Sequence, residues 1–260
     1  MATTHTTIEW TDKTWNPATG CTKVSPGCRY CYAEAITKRF KNHFEHGFQF
    51  SLHPQRLLEP ARWRNPSRVF VNSMSDLFHE QMPLDYLLKI FQVIAATPQH
   101  VYQVLTKRHE RLGELAAQLP WPENLWMGVS VENQNYVHRL TYLRQIPARV
   151  RFLSCEPLLG PLQMDLTGIH WVIVGGESGP KHRPIDPQWV RDIRQQTHDA
   201  GAAFFFKQWG GHTAKAGGRM LDGHLWDEMP AAWEEHLAWL QNHRLHFKRS
   251  VPTTDRGNLR

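Results

Sequence analysis

Six short apolar runs, separated by stretches of helical periodicity, restrict this chain to very few folds. They are Arg68–Asn72, Val101–Leu105, Leu125–Val129, Val150–Leu153, His170–Val174 and Ala203–Phe206. β-Branched and aromatic residues dominate them, and each lasts four or five residues, as strands buried on both faces do. A further, weaker strand is expected within Thr6–Trp15. Between the runs, Leu84–Ala96 places Leu84, Leu87, Leu88, Phe91 and Ile94 on one helical stripe, with Pro83 at its start and Pro98 beyond its end. Arg108–Leu119, Tyr136–Ile146 and Pro187–Ala200 repeat the pattern, the last stopped by Gly201. Strands alternating with helices at this spacing imply a parallel sheet with crossover helices. The expected fold is α/β, a partial TIM-like β/α barrel of about six to seven strands. Gly210–Gly223 reads as a mobile loop and Pro230–Leu245 as a helix with Trp233, Leu237 and Leu240 on one face. The expected division is a barrel with an N-terminal Cys loop over 1–230, then a helix and basic tail over 231–260.

With 260 residues, 41% of them hydrophobic, the chain can bury one large core. No apolar run approaches the ~20 residues that span a bilayer, and Met1–His5 lacks the layout of a secretory signal. A soluble cytoplasmic protein is expected. The formal charge of +6 suits a polyanionic partner, although the 30 Lys and Arg are scattered. Eleven Trp supply either stacking surfaces or core packing.

In a β/α barrel the C-terminal strand ends converge on one face, where active sites lie. Here nearly every such end emits polar residues: Asn72–Asp76, Thr106–Arg108, Ser130–Asn133, Ser154–Pro157, Gly175–Ser178 and Lys207–Gly210. Any one of them can be a helix cap or a turn. The succession points to a site. Lys107 suits a carboxylate or phosphate, and Glu132 and Glu156 suit ribose hydroxyls or proton transfer. Cys155 is either a hydrogen-atom donor or a small buried thiol. Gly175 and Gly176 either let a ligand approach the backbone or turn the chain.

Three of the four cysteines crowd into one segment, Cys21, Cys28 and Cys31, spaced C-x6-C-x2-C. Pro26-Gly27 favours a turn that folds the loop back, and thiolates near the start of the helix that follows are stabilised by its dipole. Clustered thiols of this kind bind metal more readily than they form a disulfide framework. A structural zinc ion takes four ligands, which His5, His43 or His46 would complete. An electron-transfer cluster usually takes four cysteines, and Cys155 lies at a distant strand end. Three thiolates alone suit an iron–sulfur cluster with one open iron.

A three-cysteine loop after the first barrel strand, with an aromatic residue, Tyr30, just before the last cysteine, resembles the radical S-adenosylmethionine superfamily, whose usual spacing is C-x3-C-x2-C. A closer resemblance, to the phage Gp37/Gp68 family, is carried by Ile8–Asp12, Thr14–Pro17, Gly20–Ala33, Asn72–Phe78, Leu105–Lys107, Gly128–Glu132, Ser154–Leu159, Val174–Ser178, Phe206–Gly210 and Leu221–Pro230. Through the Thr106-Lys107 strand end the chain is also similar to spore photoproduct lyases, radical enzymes that repair DNA. These resemblances imply a [4Fe-4S] cluster on Cys21, Cys28 and Cys31, whose open iron chelates S-adenosyl-L-methionine. Reductive cleavage of that cofactor gives methionine and a 5′-deoxyadenosyl radical. A reductant of flavodoxin or ferredoxin type supplies the electron. The superfamily's Gly-Gly-Glu element lies near the second strand end, where this chain has Asn72–Asp76. Asn72, Ser73, Ser75 and Asp76 are therefore implied as cofactor ligands, with Glu132 and the late copy Gly175, Gly176 and Glu177. Lys107, Glu156 and Cys155 are the catalytic candidates. The expected substrate is nucleic acid or a nucleotide, met by Lys23, Arg29, Lys107, Arg108, Lys181 and Arg183 at the cavity mouth, with Trp209 or Tyr30 for stacking. The alternative is a non-catalytic zinc or iron–sulfur protein that binds nucleic acid.

Overall fold

The computed structural model describes residues 6–243. Its centre is an all-parallel sheet of β1 (Lys13–Trp15), β2 (Arg68–Val71), β3 (Val101–Thr106), β4 (Leu125–Ser130), β5 (Val150–Cys155), β6 (Trp171–Gly175) and β7 (Ala203–Gln208). Neighbours in sequence are neighbours in the sheet, because each crossover returns the chain to the next position. The sheet curls into a half-barrel, the partial TIM-like α/β architecture that the alternation implies. The helices are α1 (Tyr32–Arg39), α2 (Leu84–Ala96), α3 (His109–Leu115), α4 (Arg139–Arg144), α5 (Pro187–Asp199) and α6 (Ala232–His243). Among the described residues no helix is long and apolar enough to cross a membrane. The basic tail expected at the C-terminus lies outside the described residues.

The helix signals act where physical chemistry places them. Asp186 accepts the Gln188 N–H at the start of α5, and Gly201, at φ +69°, turns the chain after its end. α3 and α4 are shorter than their periodicity suggests. The Trp121 indole N–H takes the Ala116 carbonyl, and α3 tightens into a 3-10 turn at Ala116–Gln118. Asn133 caps its own 3-10 turn, Gln134–Tyr136, so α4 starts only at Arg139. The weak first strand shrinks to Lys13–Trp15, because Ile8 and Trp10 turn inward to plug the half-barrel.

Strand side chains alternate, so each strand feeds two cores. One row, with Val69, Val71, Val104, Leu153, Val172 and Phe206, packs beneath the helices. The other row carries Phe70, Val101, Trp126, Val150, Phe152, Trp171, Ile173 and Phe205 into the barrel interior. Trp171 is its hub, with ring centroids 6.1 Å from Trp10, 6.2 Å from Trp126, 5.6 Å from Phe152 and 6.0 Å from Phe205. Trp10, Trp15, Trp126 and Trp171 are all buried, so core packing accounts for these four. Gly128 leaves room for the Phe152 ring, which a Cβ there would approach to 2.6 Å.

Truncation at Trp171→Ala removes the centre of this layer and should cost about 3–5 kcal/mol, read as a lower urea midpoint. A second expectation concerns acid. His100 is wholly buried against Trp63 and Tyr102, and burial pulls its pKa down to about 4. The folded state keeps this ring neutral, while the unfolded chain protonates it below about pH 6.5. Its contribution is therefore intact above pH 6.5 and lost as the pH falls toward 4, on the order of 3 kcal/mol in full. Urea midpoints should fall over that window, and less steeply in His100→Gln; an equal slope in the two proteins would count against this assignment.

Candidate active site

Beyond the aromatic floor, the inward-facing row turns polar. Thr14 and Asn16 from β1, Asn72 after β2, Leu105 and Lys107 from β3, Ser130 on β4, Ser154 and Glu156 from β5, and Lys207 on β7 line a cavity of about 620 Å³, together with Trp10 and Phe70. Ser73, Ser75, Asp76, Gly176 and Glu177 line it as well. So do Cys21, Cys28 and Cys31, which the loop after β1 brings over the C-terminal strand ends. The three thiols are unpaired and half-buried. Lys107 Nζ donates to Ser130 Oγ at 3.0 Å, and Lys207 Nζ lies 3.0 Å from the Glu156 carboxylate, which also accepts from Ser154 Oγ at 3.1 Å. Asn72 adopts a left-handed backbone, φ +57°, and its Oδ1 accepts the Ala18 N–H.

Three candidates from the sequence lie elsewhere. Cys155 falls in the odd, outward row of β5, so its thiol sits in the core beneath the helices, where burial pushes its pKa up. Glu132 lies past the end of β4, wholly buried; its carboxylate accepts from Arg139 at 2.8 Å and from the Ser25 hydroxyl. It braces the Cys loop through Ser25. Gly175 makes room for a neighbour, since a Cβ there would lie 2.5 Å from Glu156 Oε1.

Polar struts hold the Cys loop. Gly20 extends the parallel pairing, donating to Met74 O at 2.9 Å and accepting from Ser75 Oγ at 2.8 Å. Its φ of +82°, with the Gln49 carbonyl 2.0 Å from any Cβ, admits only glycine. Arg108 is buried. Its guanidinium reaches Asp76 at 3.1 Å, Glu80 at 2.9 Å, the Thr22 hydroxyl at 2.7 Å and Cys21 Sγ at 3.3 Å. Asp76 also accepts from Thr106 Oγ1 at 2.7 Å and the Lys107 N–H at 3.1 Å. At the middle of the loop, Ser25 is bound to Glu132. Arg183 pairs with Glu177 and donates to Pro26 O at 3.0 Å. Gly27 closes over Glu132, with 2.6 Å between a Cβ there and its side chain.

Of the expected footprint, Lys107 and Arg108 line the cavity; Lys107 donates to Ser130, and Arg108 and Arg183 are paired with carboxylates of the fold. Trp209 packs on Phe206 and donates to Met220 O, away from the cavity, whereas Tyr30 does line it. The bracing contacts of Ser25 with Glu132 and of Arg108 with Cys21 escape sequence reasoning, because partners 107 and 87 positions apart leave no local signal. Burial and the Asp76 charge push the Cys21 thiol up to about 12. Among the described residues no three His, Cys, Asp or Glu side chains converge as ligands of one ion. His43 and His46 do not line the cavity, and His5 lies outside the described residues.

Removing Glu132 leaves Arg139 charged and buried without its partner and frees Ser25. Glu132→Ala should therefore cost about 3–5 kcal/mol in a urea titration. A loss under 1 kcal/mol would show that the brace is dispensable.

Comparison with known proteins finds no curated protein that matches. Among solved structures, spore photoproduct lyase with a dinucleoside spore photoproduct is 14% identical, with a TM-score of 0.46 over 73% of this chain and 64% of that one. A cysteine-to-serine variant of the lyase gives 16%, 0.47, 72% and 61%. A double variant with bound AdoMet and the dinucleoside gives 15%, 0.44, 72% and 61%. The chain thus spans less than two thirds of these lyases. A family model described as protein of unknown function (DUF5131) matches residues 5–230, and its description does not carry the phage name suggested by the sequence. With the barrel, the Cys loop and every strand end inside that match, the chain belongs to the DUF5131 family.

Proposed function

We propose that this protein is a radical S-adenosylmethionine enzyme acting on nucleic acid or a nucleotide, with a [4Fe-4S] cluster on Cys21, Cys28 and Cys31. One observation carries the reading: three unpaired thiols from a single braced loop face the cavity at the C-terminal end of a parallel half-barrel. The donor set fits the group. The fourth cysteine is sealed in the outer core, so a [4Fe-4S] cluster held here would have three thiol ligands and one iron free for the cofactor. A structural zinc ion takes four ligands, and no histidine is among the described residues that line the cavity beside the three thiols.

When bound, the cluster and S-adenosylmethionine supply one-electron cleavage to a 5′-deoxyadenosyl radical, with a reductant of flavodoxin or ferredoxin type furnishing the electron. The chain's own residues do the rest. Asn72, Ser73 and Ser75 border the Cys loop and offer polar groups to the cofactor's amino and carboxylate groups. Lys107 and Lys207 bring positive charge to the cavity wall, where a carboxylate or phosphate is neutralised. Glu156, held by Ser154 and Lys207, is placed to accept a hydroxyl hydrogen bond or a proton. The tryptophan floor keeps water from entering beneath the reacting atoms.

Anaerobic reconstitution followed by dithionite and S-adenosylmethionine should yield 5′-deoxyadenosine. Cys21→Ala, Cys28→Ala and Cys31→Ala should each lose bound iron, since a three-ligand site has no spare, whereas Cys155→Ala should retain it. A colourless protein that carries zinc and forms no 5′-deoxyadenosine would refute the proposal.

A further inference from the structure

Helix α1 is built the wrong way round for an ordinary surface helix. It buries its small residues, Ala33 and Thr37, and turns Tyr32, Ile36 and Phe40 outward at i, i+4 and i+8. Tyr32 is 49% and Phe40 47% exposed, and with Val24 and Ile36 they make up half of the eight large exposed apolar side chains among the described residues. The stripe leads somewhere, because Tyr32 and Ile36 also line the cavity beside Cys31. The Tyr32 hydroxyl is fixed by its hydrogen bond to Ser73 O, so the exposed ring is held where it lines the cavity.

Charge follows the same track. Residues 21–46 hold five Lys or Arg against two Glu, while the remainder of residues 6–243 holds 20 Lys or Arg against 21 acids. The net positive charge of the described residues therefore lies in this segment. Lys23 and Lys38 share Glu34, but Arg29, Arg39 and Lys41 form no ion pair among the described residues. Arg39 lies over the Phe40 ring at 5.4 Å and Arg29 over Tyr30 at 5.3 Å, so cations and aromatic faces interleave. Lys215 also lines the cavity, from the glycine-rich loop. Unlike Lys107, Arg108 and Lys207, it has no carboxylate partner among the described residues.

We infer that this face is a binding track for a single nucleic-acid strand, which runs along α1 and passes a nucleotide into the cavity between Tyr32 and Lys215. Unpaired cations spaced among exposed rings suit a polyanion whose bases stack without regard to sequence. Continuity with the cavity favours a substrate over a partner that only docks. The inference rests on the cavity being where a nucleic-acid substrate reacts, and it names how that substrate arrives.

The test is fluorescence anisotropy with the full chain and a labelled oligothymidylate of about sixteen nucleotides, read across a salt series. Wild type should bind with a slope of log affinity against log salt of about −2 or steeper, since each neutralised phosphate on a single strand contributes about −0.7. Phe40→Ala should weaken binding roughly tenfold through lost stacking. The Arg39→Ala/Lys41→Ala pair should flatten the slope by about 1.4. All three positions are exposed, and thermal melts followed by circular dichroism should match wild type. No binding at low salt would overturn the inference. So would undiminished binding in both variants, which would place the strand on another surface. If the variants kept strand affinity yet slowed reduction by an acidic flavodoxin, the face would belong to a redox protein instead. A wild type that makes no 5′-deoxyadenosine would remove the radical chemistry and leave this surface standing, because anisotropy requires no turnover.

Discussion

The arrangement depends on the buried pairing between arginines and strand-end carboxylates. A loop of a dozen residues with three Cys and two Gly has no core of its own to order it. Here Arg108 ties Cys21 and Thr22 to Asp76, while Arg139 and Glu132 hold Ser25 and Arg183 with Glu177 holds Pro26. Low dielectric strengthens each bond and makes a missing partner costly, so the network fixes one loop geometry. The loop's position over the strand ends is thus set by buried charge pairs. Asp76, which lines the cavity, and Glu132 both serve as braces of the loop.

The second constraint is the two-residue period of the strands. One parity sends Phe70, Trp126, Phe152, Trp171 and Phe205 into a dry aromatic floor, and the same parity, continued along the strands, brings Asn72, Lys107, Ser130, Ser154, Glu156 and Lys207 to the cavity wall. Cys155, one residue off that parity, is lost to the outer core. A single register therefore separates floor, wall and helix-facing core without any further specification.

Most of the fold was legible. The apolar runs and the 84–96 stripe mark their strands and helix closely, because burial on both faces and 3.6-residue periodicity are local properties. The cavity-facing set was legible for the same reason, since a strand end can be recognised without its neighbours. Less legible was which charges face inward and which are already engaged. Arg108 and Arg183 looked like free cations, and only the fold reveals carboxylates beside them. The inverted face of α1 was also hidden, because Tyr32, Ile36 and Phe40 have the spacing of a core stripe, and nothing local says that the small residues take the buried side.

The central claim, an open iron held by three thiols beside a cofactor site, is tested most directly by electron paramagnetic resonance on the reduced protein. With a [4Fe-4S] cluster the protein should show a reduced-cluster signal whose shape changes when S-adenosylmethionine is added, because the cofactor enters the coordination sphere of the unligated iron. A signal indifferent to S-adenosylmethionine, or a zinc-loaded protein with no signal at all, would contradict the account.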